Sequence, residues 1–384
     1  MRFRFPDPED AKEQKARERV EKKIDSFWAA LAKRADDLDA LFSRRASWDL
    51  PAFMQKHLGA VHESLRWEFG PARKGNGHRL VITPEGEHAL VPLVEAMLAR
   101  APRLRGWEFY GGRQAETGEW LTATIEGRTG RPMPKTRVGV SAGAHGRIDL
   151  VFELAGLSEK DAESTALLLT ETLLGEDVLD TWIGAISVEA PTRKRRLALE
   201  AVPAAVEAAI AAVKKGLPKK PAVDRLARAE WTLFQGDPPE AEDYGDQDDL
   251  IVAPTMVPEV FQAVRAPGYS DRRFSRHGEV FAYVKIDGRK GLAGSRFEDR
   301  DDIQEALDKV LVKPRLGAVV GGGTGRIYSY VELALLDPKR ALPKIRKVLR
   351  DGGVPLRSWI LFHDPTLADE WLGVHPKTKA PPRP

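Results

Sequence analysis

"GRIYSYVELALL", Gly325–Leu336, is the stretch on which the reading of this chain turns. With a repeat of two, Ile327, Ser329, Val331 and Leu333 share one face, and Arg326, Tyr328, Tyr330 and Glu332 share the other. That is a strand with one oily face and one aromatic, charged face. The segment before it, "LGAVVGGGTG" (316–325), predicts its hairpin partner, the glycines serving a turn that needs positive φ. Working outward, "EVFAYVKID" (279–287) reads as a strand and "RDDIQEALDKVLV" (300–312) as a helix. "DPKRALPKIRKVLRDGG" (337–353) reads as a second helix, with Pro338 at its start and Gly352 at its end, and "PLRSWILFHD" (355–364) as a last strand. The order β-α-β-β-α-β is the split, ferredoxin-like pattern.

A second copy of the same wording stands earlier, in "GRIDLVFELAGL", Gly146–Leu157. Arg137-Val138-Gly139 aligns with Arg315-Leu316-Gly317, and Trp182-Ile183 with Trp359-Ile360. Around it, "HRLVITPEG", "GWEFYGGR", "RVGVSAG" and "TWIGAISVEA" read as strands, and "WLTATIEG" as an extra one. "EHALVPLVEAMLARAP" and residues 158–174 read as helices. Asp49 and Pro51 start another helix, which ends before Gly70-Pro71. The predicted fold class is therefore α+β, with two ferredoxin-like modules in tandem behind an N-terminal helical segment. The boundaries are 1–47 for that segment, 48–190 for the first module, 191–224 for a charged helical connector, 225–375 for the second module and 376–384 for a Pro/Lys-rich tail. In the first segment Phe27, Leu31, Leu38 and Leu41 recur at helical spacing, which fits a helix docked on its own domain.

"HRLVITPEGEHALVPLVEAMLARAP", "GWEFY" and "LLLTETLLGEDVLDTWIGAISVE" resemble a bacterial domain-of-unknown-function family over residues 48–190. The resemblance implies an α+β domain and carries over no catalytic residue.

Composition narrows the classes. A chain of 384 residues is too long for one ordinary core, and 42% hydrophobic residues suffice for globular packing. A formal net charge of +3 gives no argument for a nucleic-acid or membrane partner. With no cysteine, disulfides, thiolate catalysis and zinc-thiolate sites are excluded. No apolar run reaches the roughly 18 residues of a membrane span, and the start of the sequence has no apolar leader, so a cytoplasmic protein is expected.

Motifs for chemistry are sparse. "VVGGGTGR" joins strand to strand rather than strand to helix, which argues against a phosphate cradle. His57 and His62 are five apart and face different ways on a helix; His78 and His88 are isolated. No nucleophile-elbow motif occurs, and Glu63, Glu68 and Glu85 fit surface or capping roles. No catalytic, cofactor-binding or metal residue is assigned. The candidate binding face is Phe281, Tyr283, Lys285, Arg326, Tyr328 and Tyr330, on the helix-free side of the second module. "RIYSYVEL" resembles the third-strand signature of the RNA-recognition motif at Arg326, Tyr328, Tyr330 and Val331 and departs from it at Ile327, Ser329 and Leu333. An aromatic sheet face is costly to expose, so packing within the chain is the first expectation, a protein partner the second and RNA the third. The function expected is that of a non-catalytic cytoplasmic binding or regulatory protein acting on a protein partner, of which an inhibitor or immunity role is one form. The alternatives are a single-stranded RNA-binding regulator and an enzyme with unrecognised carboxylates.

Overall fold

The computed structural model describes residues 1–190 and 196–382. In chain order the helices and strands are α1 (Ala11–Lys33), α2 (Ala35–Phe42), α3 (Leu50–His57), β1 (Arg66–Pro71), β2 (His78–Thr83), α4 (Val91–Ala99), β3 (Trp107–Gly111), α5 (Gly118–Thr129), β4 (Thr136–Ala142) and β5 (Ile148–Leu154). They continue with α6 (Glu159–Leu174), α7 (Glu176–Trp182), β6 (Ile183–Val188), β7 (Leu197–Ala198), α8 (Val202–Gly216), β8 (Thr232–Gln235), β9 (Leu250–Thr255) and α9 (Pro258–Ala263). The last are β10 (Val280–Asp287), α10 (Arg300–Leu311), β11 (Gly317–Gly325), β12 (Tyr328–Leu335), α11 (Pro338–Asp351), β13 (Ser358–Phe362) and β14 (Leu372–Gly373). The chain is mixed α+β. It divides into one unit of Lys12–Val213 with Met1, and another of Arg2–Ala11 with Lys214–Pro384. The expected segment 1–47 is thus split at Ala11. The first residues of the expected connector, 191–195, lie outside the described residues, and α8 places Val202 and Val206 in the core of the first unit.

The first unit holds two sheets, β1-β2-β3 and β6-β5-β4-β7. Each of its strand-helix-strand crossovers brings the second strand back directly beside the first, so β2 pairs with β3 and β5 with β6, both in parallel. The single sheet expected from the repeat therefore does not form. The hairpin of β4 and β5 sits in a setting unlike that of its C-terminal counterpart, and the letter-by-letter correspondence stops at the hairpin. Two local readings also change. "WLTATIEG" lies in α5, which buries Leu121 and Ile125 four apart and ends on Gly130 with φ 65°. The helix begun by Asp49, whose carboxylate accepts the N–H of Ala52, stops at His57, and Arg66–Pro71 is a strand. The helix α1 buries Ile24, Phe27, Trp28 and Leu31 on its own unit, where the Trp28 indole donates to the Met97 carbonyl at 2.8 Å.

In the second unit the seven-stranded sheet runs β14-β13-β10-β12-β11-β9-β8. Here both crossovers are split: β12 lies between β10 and β11, and β10 lies between β12 and β13, each pair antiparallel. Capping fixes both crossover helices. The Asp299 carboxylate accepts the N–H of Asp301 and Asp302 at the start of α10, and that of Asp337 accepts Arg340 N–H at the start of α11. Ile303, Leu307 and Leu311 recur every four residues along α10, and Leu342, Ile345 and Leu349 at steps of three and four along α11. They pack on Ala282, Val284, Ile286, Val331 and Leu333. The period-two assignment of β10 and β12 therefore holds on the helix side.

The glycine run of β11 has a different reason from the expected one. Gly321, Gly322 and Gly323 are strand residues without positive φ. A Cβ on Gly321 would come within 2.9 Å of the Pro254 carbonyl, and one on Gly323 would meet Leu250. The run is a close approach of neighbouring strands, not a turn.

Candidate functional site

The acidic stretch 237–249, between β8 and β9, lies as a strap along the helix-free face of the seven-stranded sheet. Four of the six expected face residues meet there. Tyr283, Tyr328 and Tyr330 are buried with Tyr244, Trp359 and Leu361, and Lys285 is fully buried. Its ammonium donates to the carbonyls of Tyr244, Gly245 and Asp246 at 2.8, 2.9 and 2.8 Å and stands 4.2 Å from the centre of the Tyr328 ring. Three acceptors match the three N–H bonds of an ammonium group. Arg326 holds the start of the strap, its Nε donating to the Pro238 carbonyl at 2.7 Å and its guanidinium pairing with Asp237. Phe281 is buried in a separate cluster with Val260 and Tyr269.

Two carboxylates of the strap, Asp249 and Asp243, are spent on this closure. Asp249 is fully buried; it accepts the backbone N–H of Ile327 and Tyr328 at 2.8 Å each, and the Tyr330 hydroxyl. Asp243 accepts the Tyr328 hydroxyl and, at 2.7 Å, the Arg357 guanidinium. Burial alone would push the Asp243 carboxyl up; those hydrogen bonds outweigh it and bring the pKa down to about 2. Tyr328 is raised to about 12, by burial and then by Asp243. Lys285 is lowered to about 8, by burial against the pull of Asp249 and Asp246. A stacking platform for RNA needs open ring faces, and Tyr328 and Tyr330 are 1% and 0% exposed. The expected binding face is therefore an internal packing surface, covered by a segment of the same chain.

Beside the strap a cavity of about 800 Å³ opens, lined by Phe234, Asp246, Asp248, Ile251, Phe261, Arg265, Tyr283 and His363, among others. His363 follows β13, and its side chain is 7% exposed. Its ring stacks on Tyr283 with centroids 4.7 Å apart, and Nε2 lies 2.8 Å from Oε2 of Glu332. The Gln247 amide holds the other Glu332 oxygen. A carboxylate oxygen that accepts fixes the ring by its Nε2–H and turns Nδ1 away from Glu332. No serine, threonine or lysine is among the residues that line the cavity.

Neither His363 nor Arg265 was marked out by the sequence patterns. A signal for His363 existed: Trp359, Leu361 and His363 continue the alternation of β13 one residue beyond the strand. Arg265 and Asp248 had none, because a loop and a short helix bring them together.

Four of the residues weighed in the first unit, Glu68, Glu85, His78 and His88, lie in ion pairs. Glu68 and Glu85 contact Arg113, which also binds Glu171 at 2.7 Å, and His78 lies 3.0 Å from Asp39. His88 lies 3.9 Å from Asp180, whose pKa is raised to about 6 by burial, against the pull of His88. A carboxyl raised on folding contributes stability at acid pH that is lost as the pH rises through about 6. Asp180→Asn is accordingly expected to raise the melting temperature of the first unit at pH 7.5 and to leave it unchanged at pH 4. Equal shifts at both pH values would refute this. Among the described residues no group of three His, Cys, Asp or Glu is placed to hold a metal ion, and no helix is long and apolar enough to cross a membrane.

No family model, curated protein or solved structure matches this chain.

Proposed function

We propose that the chain is a non-catalytic, cytoplasmic binding and regulatory protein, and that its ligand site is the cavity of the second unit. In this reading that unit is a ferredoxin-like module, its split crossovers backed by α10 and α11 and its opposite face closed by the strap. The observation that carries the proposal is a buried imidazole, fixed by Glu332 and Gln247 and presented at the wall of a cavity of about 800 Å³. Such a volume suits a small molecule, and the walls set polar and charged groups such as Asp248, Arg265 and His363 beside apolar ones such as Phe234, Ile251 and Phe261. The lining offers no serine, threonine or lysine, and its one hydroxyl, on Tyr283, is engaged with Asp246, which favours binding over covalent transfer. A protein partner would then sense whether the cavity is occupied.

The test is a thermal-shift screen of amino acids, short peptides and nucleosides against the full chain and against Ile251→Trp. Ile251 lines the cavity and is 41% exposed, so a larger side chain fills space without disturbing a core. Hits on the wild type that vanish in the variant are expected. Hits that survive it, or no hits at all, would refute the reading. The Glu332–His363 pair favours a second reading, a general base in the same cavity. Turnover of any bound probe that is lost in His363→Asn, with binding kept, would establish it.

A further inference from the structure

Two charges of opposite sign face this cavity without an ion-pair partner among the described residues. Arg265 lines it, its guanidinium lying 3.5 Å from the centre of the Phe261 ring, with Nη1 donating to the Phe261 carbonyl at 2.6 Å. Phe261 in turn stacks on Phe234, with centroids 4.3 Å apart. Stacking fixes the plane of the guanidinium and leaves its remaining N–H donors free for a carboxylate, the geometry in which arginine recognises that group best. Asp248 lines the same cavity, exposed, with no cation within ion-pair distance. Each lies in the field of the other: burial lowers the Arg265 pKa, and Glu332 and Asp248 oppose that effect. Opposite charges that feel one another across a cavity without touching leave a gap that a molecule bearing both charges can bridge.

We infer that the cavity binds a small zwitterion with an apolar middle, a free amino acid or a short peptide. Its carboxylate sits on Arg265, its ammonium on Asp248, and its side chain against Phe234, Ile251 and Phe261. Asp246 is a weaker anchor for the ammonium, since one of its oxygens already accepts the Tyr283 hydroxyl at 3.3 Å. The inference rests on the cavity being a ligand site at all.

The experiment is isothermal titration of the full chain with phenylalanine, phenylalaninamide, N-acetylphenylalanine and the dipeptide Leu-Phe. A charged hydrogen-bonded contact is worth about 1.5–3 kcal/mol, so removing either charge should weaken binding by roughly 10- to 100-fold. Arg265→Met should abolish the preference for phenylalanine over its amide, and Asp248→Asn the preference over the N-acetyl form. Leu-Phe against phenylalanine reports which size of zwitterion the cavity takes. If the amide or the N-acetyl form binds as well as phenylalanine, the zwitterion is refuted and the ligand site survives. If no zwitterion binds while nucleosides do so in an Ile251-dependent way, the outcome is the same. If no probe of either kind binds, both fall.

Discussion

Lys285→Met is expected to lower the melting temperature of the second unit by roughly 6–12 °C. Methionine keeps the length and apolar bulk of the lysine stem, so packing on Tyr328 is largely retained. What goes is the only donor that the lysine offers to the carbonyls of Tyr244, Gly245 and Asp246. Stranding buried acceptors and removing the cation beneath an acidic strap should cost about 3 kcal/mol together, at roughly 2–4 °C per kcal/mol for a unit of this size. The strap should open, and the fluorescence of Trp359 beneath it should shift to the red. The pH dependence has a definite sign. Because the Lys285 pKa is lowered on folding to about 8, the unfolded chain binds more protons between pH 8 and the ordinary lysine value. The stability of the wild type relative to the variant should therefore grow as the pH rises through that window. A variant that melts within about 1 °C of the wild type would show that the strap does not depend on this ammonium.

The second large effect is expected from Glu370→Ala. Glu370 is 1% exposed, and its two carboxylate oxygens accept the backbone N–H groups of Phe3, Arg4 and Phe5 at 2.7–3.1 Å. Phe5 then stacks on Phe362 at 5.2 Å, inside the helix-side core. A buried pair between Asp7 and Arg346, 2.7 Å apart, holds the next turn of chain. Hydrogen bonds to a charged group are worth about 1.5–3 kcal/mol each, and alanine removes the acceptor for all three donors. Loss of about 3 kcal/mol and rapid tryptic cleavage after Arg2 and Arg4 should follow, read by mass spectrometry of the intact chain. Glu370→Gln keeps one acceptor oxygen and should fall between. Equal protease resistance in wild type and alanine variant would overturn this account of the segment.

What the letters reveal and what they conceal divides along physical lines. The two faces of β10 and β12 could be read, because alternation is a local property and Val284, Val331 and Leu333 follow it strictly. The cap Asp49 was legible for the same reason, although the end of the α3 helix was not. The sheet partner of β6 could not be read: parallel pairing with β5 after a crossover is decided by packing far along the chain. "WLTATIEG" misleads because its Thr and Ile suit a strand, while burial of Leu121 and Ile125 on one side makes a helix. The acidic stretch carries no local sign of what its charges meet. Its actual counter-charges are Lys285, Arg326 and Arg357, brought to it by the sheet. The candidate cavity lies beyond sequence reasoning for that same reason, since Asp248, Arg265 and His363 come from three separate connections.

The attachment of residues 2–11 to the second unit sets an order of events during synthesis. Phe3–Phe5 leave the ribosome more than 360 residues ahead of Glu370. At about 5–20 residues per second, that short arm must wait on the order of half a minute for its seat, while residues 12–213 complete a core of their own. Throughout that interval Phe5 has no core to enter, so a nascent chain stalled past residue 213 should display an aromatic side chain that the finished molecule buries.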